Sequence, residues 1–216
     1  MYCPQVFDHP ALQKAKRAVQ AGQFFVKREP LFLQRSVFPF SVTCHVFCPF
    51  RCTVELLVRL GLERPEWIEH SLLFLMAYSF LLRVPSEAIP VTAGSVGPCM
   101  LAREGNFVVL TLARRKNRPN GSRLARGCWC KKSPLTCPLC LLSPLLVNAK
   151  AGGKLFPNVT TSNVNHVLRS MLAELGIPNA ERYRTHDFRR GHAKDLQLAG
   201  ASPLSRVCSC VFRVSH

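Results

Sequence analysis

The sequence predicts a mainly α-helical domain with one small antiparallel sheet, an α+β fold. Three observations support this: a nearly all-apolar helical stretch at residues 66–82, a hairpin signal at residues 99–112, and an amphipathic helical period at residues 161–175. With 216 residues and 48% hydrophobic content, the chain can bury one sizeable core. We therefore expect one main domain with short appended segments.

The chain divides into three parts. Residues 53–201 contain most of the predicted helices and all of the strands, and they form the main domain. Residues 1–52 begin with a basic helix predicted at residues 11–21 and continue into a stretch rich in Phe, Cys and Val that follows no regular period. Residues 202–216 have a similar composition, and we expect them to be an anomalous tail on a domain truncated at its C-terminus.

The apolar stretch is expected at the centre of the core. Residues 53–62 and 66–82 are predicted helices, and apolar side chains cover nearly the whole circumference of the second. Its longest apolar run, Leu72 to Leu82, is far shorter than the roughly 20 residues that a helix needs to cross a bilayer. We therefore predict a buried helix and no membrane partner.

Turn signals define the sheet and the remaining helices. The Glu-Gly-Asn turn at residues 104–106 separates two strand segments, and the Asn-Gly turn at residues 120–121 predicts a third strand. A helix is predicted at residues 161–175, where a Gly and a Pro follow as stop signals. Another should begin at Thr185, which can cap it, and end near residue 200.

The charge of the chain indicates a polyanionic partner. Lys and Arg number 29 against 12 Asp and Glu, a formal net charge of +17. Because unpaired cations are too costly to bury, this excess must be solvated or neutralised by a polyanion such as nucleic acid. A ribosome-like or merely adhesive surface is the alternative. The N-terminus lacks the apolar stretch of a secretory signal, so we expect an intracellular protein.

Two positions could meet an anion directly. Arg83 ends the apolar helix, where a guanidinium needs an anionic partner, and pairing with Glu87 is the simpler interpretation. His186 and Arg189 lie on one face of a helix start, whose backbone N–H groups would add to an anion site, and Arg190 follows them. An ordinary surface helix start is the alternative.

A basic run lies between the second and third predicted strands. Arg114-Arg115-Lys116-Asn117-Arg118 places several cations at a hairpin tip. Arg115, Lys116 and Arg118 could contact DNA phosphate, but a solvated turn or a nuclear import signal explains the run equally well. A nuclear location is our expectation.

The order of these features resembles the tyrosine recombinase and phage integrase family, especially the recombinases of Crypton-type eukaryotic transposons. In that family a helix ends in an Arg followed by an acidic pair, as at Arg83 and Glu87. A three-stranded sheet follows with a lysine at its second turn, as at Lys116. His-x-x-Arg comes two helices later, as at His186 and Arg189.

The resemblance covers residues 53–201 and implies how a phosphate would be held. Arg83 and Arg189 would clamp the scissile phosphate of double-stranded DNA and stabilise its transition-state charge. Glu87 would hold the active-site residues in place. Other recombinase subunits are further expected partners.

The resemblance also implies the proton-transfer groups. Lys116 would protonate the departing 5′ oxygen, with Arg115 as its substitute if the turn is shifted by one residue. His186 would assist in proton transfer. Chemistry of this type requires no cofactor.

The nucleophile of that family has no counterpart here. The family pattern continues with Gly-His or Gly-Trp and then a tyrosine, and residues 202–216 contain neither. Tyr2, Tyr78 and Tyr183 all precede the His-x-x-Arg. We therefore predict a protein that binds duplex DNA but cannot cleave it in cis, although another subunit could donate a tyrosine in trans.

Four cysteines just beyond the predicted sheet could hold a metal. Cys128, Cys130, Cys137 and Cys140 form C-x-C and C-x-x-C pairs that can close a tetrahedron around Zn²⁺, and basic neighbours such as Arg126 would lower their thiol pKa values. Free thiols in a small core are the alternative. With a structural zinc, the competing function is a non-catalytic, zinc-stapled, basic nucleic-acid-binding module.

The remaining Cys and His residues are expected to have no functional role. Cys44, Cys48 and Cys52 recur at helical spacing within the irregular segment. His166 and His192 are expected on helix surfaces rather than at a metal.

Overall fold

The computed structural model describes residues 49–94, 97–115, 120–131 and 133–200. The helices are α1 (Pro49–Glu63), α2 (Ile68–Phe80), α3 (Pro138–Asn148), α4 (Val164–Glu174) and α5 (His186–Leu198). The strands are β1 (Thr92–Ala93), β2 (Cys99–Glu104), β3 (Phe107–Leu112) and β4 (Ser122–Gly127). The predicted α+β class is confirmed, while the basic helix at residues 11–21 and the tail at residues 202–216 lie outside the described residues.

Helix α2 forms the centre of the core, as its composition predicts. Every residue from His70 to Phe80 is buried, and α1, α3 and α5 all pack against this helix. It is shorter than predicted, because Leu81 adopts a left-handed conformation with φ of 56° and ends the helix. The chain then enters a five-residue π-helical turn, Val84–Ala88.

Helix α1 begins at Pro49, four residues before the predicted start at residue 53 (53 − 49 = 4). It crosses α2 closely at Gly61, where a Cβ atom would lie 2.1 Å from Oγ of Ser71. Any side chain at this position would therefore force the two helices apart.

The sheet has the strand order β1-β2-β3-β4. Both predicted turns are present: β2 pairs antiparallel with β3, and β3 pairs antiparallel with β4. At the second turn Gly121 has a φ of 75°, and a Cβ there would lie 2.2 Å from the carbonyl oxygen of Leu112. The three predicted strands are antiparallel as expected, and the short strand β1, which was not predicted, adds a parallel pairing with β2.

Helix α3 was not predicted from the sequence. It contains Pro138 in its first turn, where proline is tolerated, and Pro144 in its interior, where proline normally disfavours a helix. Its residues Leu139 and Leu142 are buried in the core. Packing therefore stabilises a segment whose local propensity is poor.

The two later helices match their predictions with shifted ends. Helix α4 begins at Val164, three residues after the predicted residue 161 (164 − 161 = 3). Thr185 occupies the N-cap position of α5, but its side chain makes no capping hydrogen bond. Instead Oδ2 of Asp187 accepts the backbone N–H of Arg184 at 2.9 Å.

No helix in the described ranges combines the length and apolar character that a membrane span requires.

Candidate anion site and cysteine cluster

Glu87 lies in the π-helical turn that follows α2, and only 5% of it is exposed. The turn brings its side chain back to the preceding residues, since Oε2 accepts the backbone N–H of Arg83 at 2.8 Å. The backbone N–H of Glu87 in turn donates to the carbonyl of Arg83 at 2.8 Å. A buried carboxylate is costly unless cations and donors surround it.

Three guanidinium groups from separate parts of the chain meet at this carboxylate. Their nitrogens lie 3.9 Å from it for Arg83, 3.3 Å for Arg115 and 3.8 Å for Arg189. Arg83 precedes the turn, Arg115 follows β3, and Arg189 lies on the first turn of α5. The three cations therefore exceed the single carboxylate by two charges, and the cluster favours an additional anion.

The three arginines differ in exposure. The side chain of Arg115 is 11% exposed, and its Nη2 also donates to the carbonyl of Leu81 at 3.0 Å. The side chains of Arg83 and Arg189 are 30% and 33% exposed. Two guanidiniums therefore reach solvent while the third points inward. Lys116 and Arg118, predicted to contact DNA beside Arg115, lie outside the described residues.

His186 is exposed at the start of α5. Partial burial lowers its pKa below the ordinary 6.5, and the positive charges of Arg190, Arg189 and Arg83 lower it further, against the opposing charge of Asp187. Arg83, Arg189 and His186 thus lie within electrostatic reach of one another. The side chain of Arg190 is 65% exposed, and its Nη1 lies 4.0 Å from Oδ1 of Asp187.

Buried hydrogen bonds connect α5 to α1 and α2. The hydroxyl of Tyr78 and the backbone N–H of Arg51 donate to Oδ2 of Asp195 at 2.7 Å and 3.0 Å. Nδ1 of His192 donates to the carbonyl of Tyr78 at 2.5 Å. The expected surface position of His192 was wrong, because it is 7% exposed and burial lowers its pKa to about 4.

Sequence reasoning missed Asp195 as well as the burial of His192, although a signal for both was present. Phe188, His192 and Asp195 follow the i, i+4, i+7 spacing of one helix face. Phe188 stacks on Phe74 of α2 with ring centroids 4.9 Å apart, so this face is directed into the core. Because His192 and Asp195 are polar, the spacing of this buried face did not appear as a hydrophobic pattern in the sequence.

The four predicted metal-ligating cysteines come together beyond β4. Their sulfur atoms all lie within 4.8 Å of one another. Cys130 and Cys140 sulfurs are 3.2 Å apart, and that of Cys128 lies 3.8 Å from those of Cys137 and Cys140. A tetrahedral zinc with Zn–S bonds of about 2.3 Å separates its sulfurs by about 3.8 Å. The cluster therefore has the size of a four-thiolate metal site.

The loop that carries these cysteines is attached to the start of α1. Nε1 of Trp129 donates to the carbonyl of Thr136 at 2.6 Å, which closes the loop on itself. The guanidinium carbon of Arg51 lies 5.3 Å from the centroid of the Trp129 ring, and the hydroxyl of Ser133 donates to Glu55. A rigid loop would thus hold the first turns of α1 in place.

The cysteine thiols are not uniformly acidic. The backbone N–H of Cys130 lowers the pKa of Cys128, whereas burial raises the pKa of Cys130 and raises that of Cys140 to about 11. The expectation that basic neighbours lower the thiol pKa values was therefore wrong for Cys130 and Cys140. Arg126 is engaged elsewhere, since its Nε donates to the carbonyl of Ser79 at 2.8 Å.

Comparisons of the chain with family models, curated proteins and solved structures gave no match. The function of this chain is therefore inferred from the arrangement of its own residues.

Proposed function

We propose that this protein binds the phosphate backbone of double-stranded DNA, as a domain of the tyrosine recombinase type acting in the nucleus. Arg83, His186 and Arg189 would contact a phosphate, with Arg190 at the edge of the surface. The convergence of three guanidiniums on Glu87 is the observation that carries this proposal.

The chemistry of the site suits a phosphodiester. A guanidinium fork donates two parallel hydrogen bonds to phosphate oxygens, and the partly exposed guanidiniums of Arg83 and Arg189 would each do so. His186 would add a donor once a phosphate raises its pKa. Contacts of this kind read no base, so binding should be weakly sequence-specific and sensitive to salt.

The proposal includes binding but not strand cleavage in cis. Between residues 49 and 200 the tyrosines are Tyr78 and Tyr183, which are 2% and 6% exposed. A buried phenol cannot attack a phosphate held at the surface. Lys116 and Arg118 would contact DNA phosphate, and Lys116 would protonate the leaving group only in a cleaving complex that includes a tyrosine from another subunit.

A DNA titration tests the phosphate proposal. Affinity for a labelled duplex, measured by fluorescence anisotropy at about 50 mM and about 200 mM salt, should fall by an order of magnitude or more. Arg83→Ala and Arg189→Ala should each weaken binding about tenfold and reduce the salt slope by about one. Arg182→Ala removes the same charge from a side chain that is 72% exposed, and it serves as the matched control.

Three results would contradict parts of this proposal. Affinity that does not depend on salt would exclude phosphate contacts as its source. Equal effects of Arg83→Ala and Arg182→Ala would show that only the net charge of the surface matters, which favours the alternative of a basic module without a defined phosphate pocket. A covalent adduct with a nicked suicide duplex would overturn the absence of cleavage.

We also propose that Cys128, Cys130, Cys137 and Cys140 bind one structural Zn²⁺. The sulfur spacings support this, and no acidic or imidazole ligand is needed to complete the tetrahedron. Protein purified without chelator should contain one zinc per chain by elemental analysis, and Co²⁺ substitution should give the absorption of tetrahedral thiolate coordination. Cys137→Ser should abolish both signals, while the control Cys99→Ser, at a cysteine outside the cluster, should leave them unchanged.

A further inference from the structure

We infer that Arg115 is a positioning residue, which neutralises Glu87 from the inside and so leaves the guanidiniums of Arg83 and Arg189 directed at an incoming phosphate. The inference rests on the proposed function and deepens it. It assigns Arg115 a role different from the DNA contact that the basic run suggests.

The distances separate the three arginines into one inner and two outer groups. Arg115 contacts both carboxylate oxygens of Glu87, with Nε 3.3 Å from Oε1 and Nη2 3.4 Å from Oε2. The guanidinium nitrogens of Arg83 and Arg189 lie 3.9 Å and 3.8 Å from the same carboxylate, beyond hydrogen-bond length. Arg115 is therefore the closest ionic partner of the buried carboxylate.

A second anchor fixes the direction of Arg115. Its Nη2 donates to the carbonyl of Leu81 at 3.0 Å, and Leu81 is the residue whose left-handed conformation ends α2. Leu81 is the C-cap residue, and backbone carbonyls at this end of a helix lack helical partners. Arg115 therefore joins the end of α2 to the π-helical turn and holds the backbone from which Arg83 projects.

Charge explains why this arrangement matters for binding. Without Arg115, the buried carboxylate would have only Arg83 and Arg189 as ionic partners in this cluster, and it would draw their guanidiniums inward. The same carboxylate would also repel a phosphate. With Arg115 present, that negative charge is already compensated, and the outer guanidiniums can turn their donors outward.

The test is a double-mutant cycle between Arg115 and Glu87, read as affinity for a DNA duplex. Arg115→Met should weaken binding about tenfold in the Glu87 protein. In the Glu87→Gln protein, which has no carboxylate to compensate, the same change should alter affinity less than about threefold. Arg123→Met, which removes a surface guanidinium that pairs with Glu104, serves as the control and should have the same small effect in both proteins.

The cycle distinguishes positioning from direct contact. The inference fails if Arg115→Met weakens binding by the same factor in both proteins. It also fails if Arg115→Met weakens binding in neither protein, because in both cases Arg115 does not act through Glu87. If Arg115→Met does not fold by circular dichroism, Arg115→Lys replaces it, because lysine keeps the charge but cannot span both oxygens and the Leu81 carbonyl. The effect of Arg115→Lys on DNA affinity, compared between the Glu87 and Glu87→Gln proteins, then decides whether Arg115 acts through Glu87.

Failure of the underlying function would look different. If Arg83→Ala leaves the affinity of the otherwise unchanged protein intact, the phosphate proposal itself fails. If Arg83→Ala weakens binding while the cycle shows no coupling, only the role of Arg115 is overturned.

Discussion

The phenol of Tyr78 on α2 donates a 2.7 Å hydrogen bond to Asp195 on α5, and both residues are almost fully buried. The same helix begins with His186 and carries Arg189 in its first turn. This buried bond therefore connects the outer arginine and the histidine of the anion site to the centre of the core.

Removing this hydroxyl should destabilise the domain. Tyr78→Phe leaves Asp195 with one donor fewer in a buried position, which should cost about 1–3 kcal/mol of unfolding free energy. Urea denaturation followed by circular dichroism measures the change. In a cycle with Asp195→Asn, the second substitution should cost less once the hydroxyl is gone, and purely additive effects would contradict a direct interaction.

Stability should fall in mild acid because of His192. Its folded-state pKa of about 4 lies below the ordinary 6.5, so the unfolded chain binds more protons between these values. The stabilisation is present above pH 6.5, decreases as the pH falls, and is lost below about 4, a difference of about 3 kcal/mol. Thermal unfolding across this range measures it. His192→Gln should flatten the profile, whereas His166→Gln, at an exposed position, should not.

DNA affinity should increase as the pH decreases through the titration of His186. Its pKa is lowered in the free protein by partial burial and by the surrounding arginines, and a bound phosphate would favour the charged form. Binding should therefore tighten between about pH 7.5 and about pH 5.5, in addition to any salt effect. His186→Gln should remove this dependence and His166→Gln should retain it. The same pH response in both variants would assign the effect to another group.

Metal removal should change the fluorescence emission of Trp129, which lies in the cysteine loop. The chain has two tryptophans, so Trp67→Phe leaves Trp129, the middle residue of the C-x-C pair, as the sole reporter. Because Nε1 of Trp129 donates to the Thr136 carbonyl, releasing the metal should disrupt this bond and shift the emission to longer wavelength. Chelator titration of this variant measures the shift. Adding Cys137→Ser to this variant should give the shifted emission before any chelator is added. If the emission of the Trp67→Phe protein with its four cysteines intact does not change on loading with Zn²⁺, the cysteines are free thiols.

The fold class and the position of the central helix were predictable because their signals are local. A helix that is apolar on all sides needs burial, and a Gly at a hairpin turn needs a positive φ. Helix α3 and strand β1 were missed for the opposite reason. Pro144 argues against a helix, and two residues are too few to establish a strand pattern, so long-range packing stabilises both.

The candidate site was predictable residue by residue but not in its arrangement. Arg83, His186 and Arg189 were each identified from their position at a helix end, and the four cysteines from their spacing. The inward direction of Arg115 could not be predicted, because its partners, Glu87 and the Leu81 carbonyl, lie 28 and 34 residues away in the chain.

The amino-acid order alone determines which groups this protein has for meeting an anion or a metal: unbalanced positive charge, paired cysteines, and cations next to apolar helices. Which of those cations face a ligand and which compensate a buried carboxylate depends on the folded chain. Burial and charge compensation depend on distances in space, and residues separated by a hundred positions acquire those distances only when the core has formed.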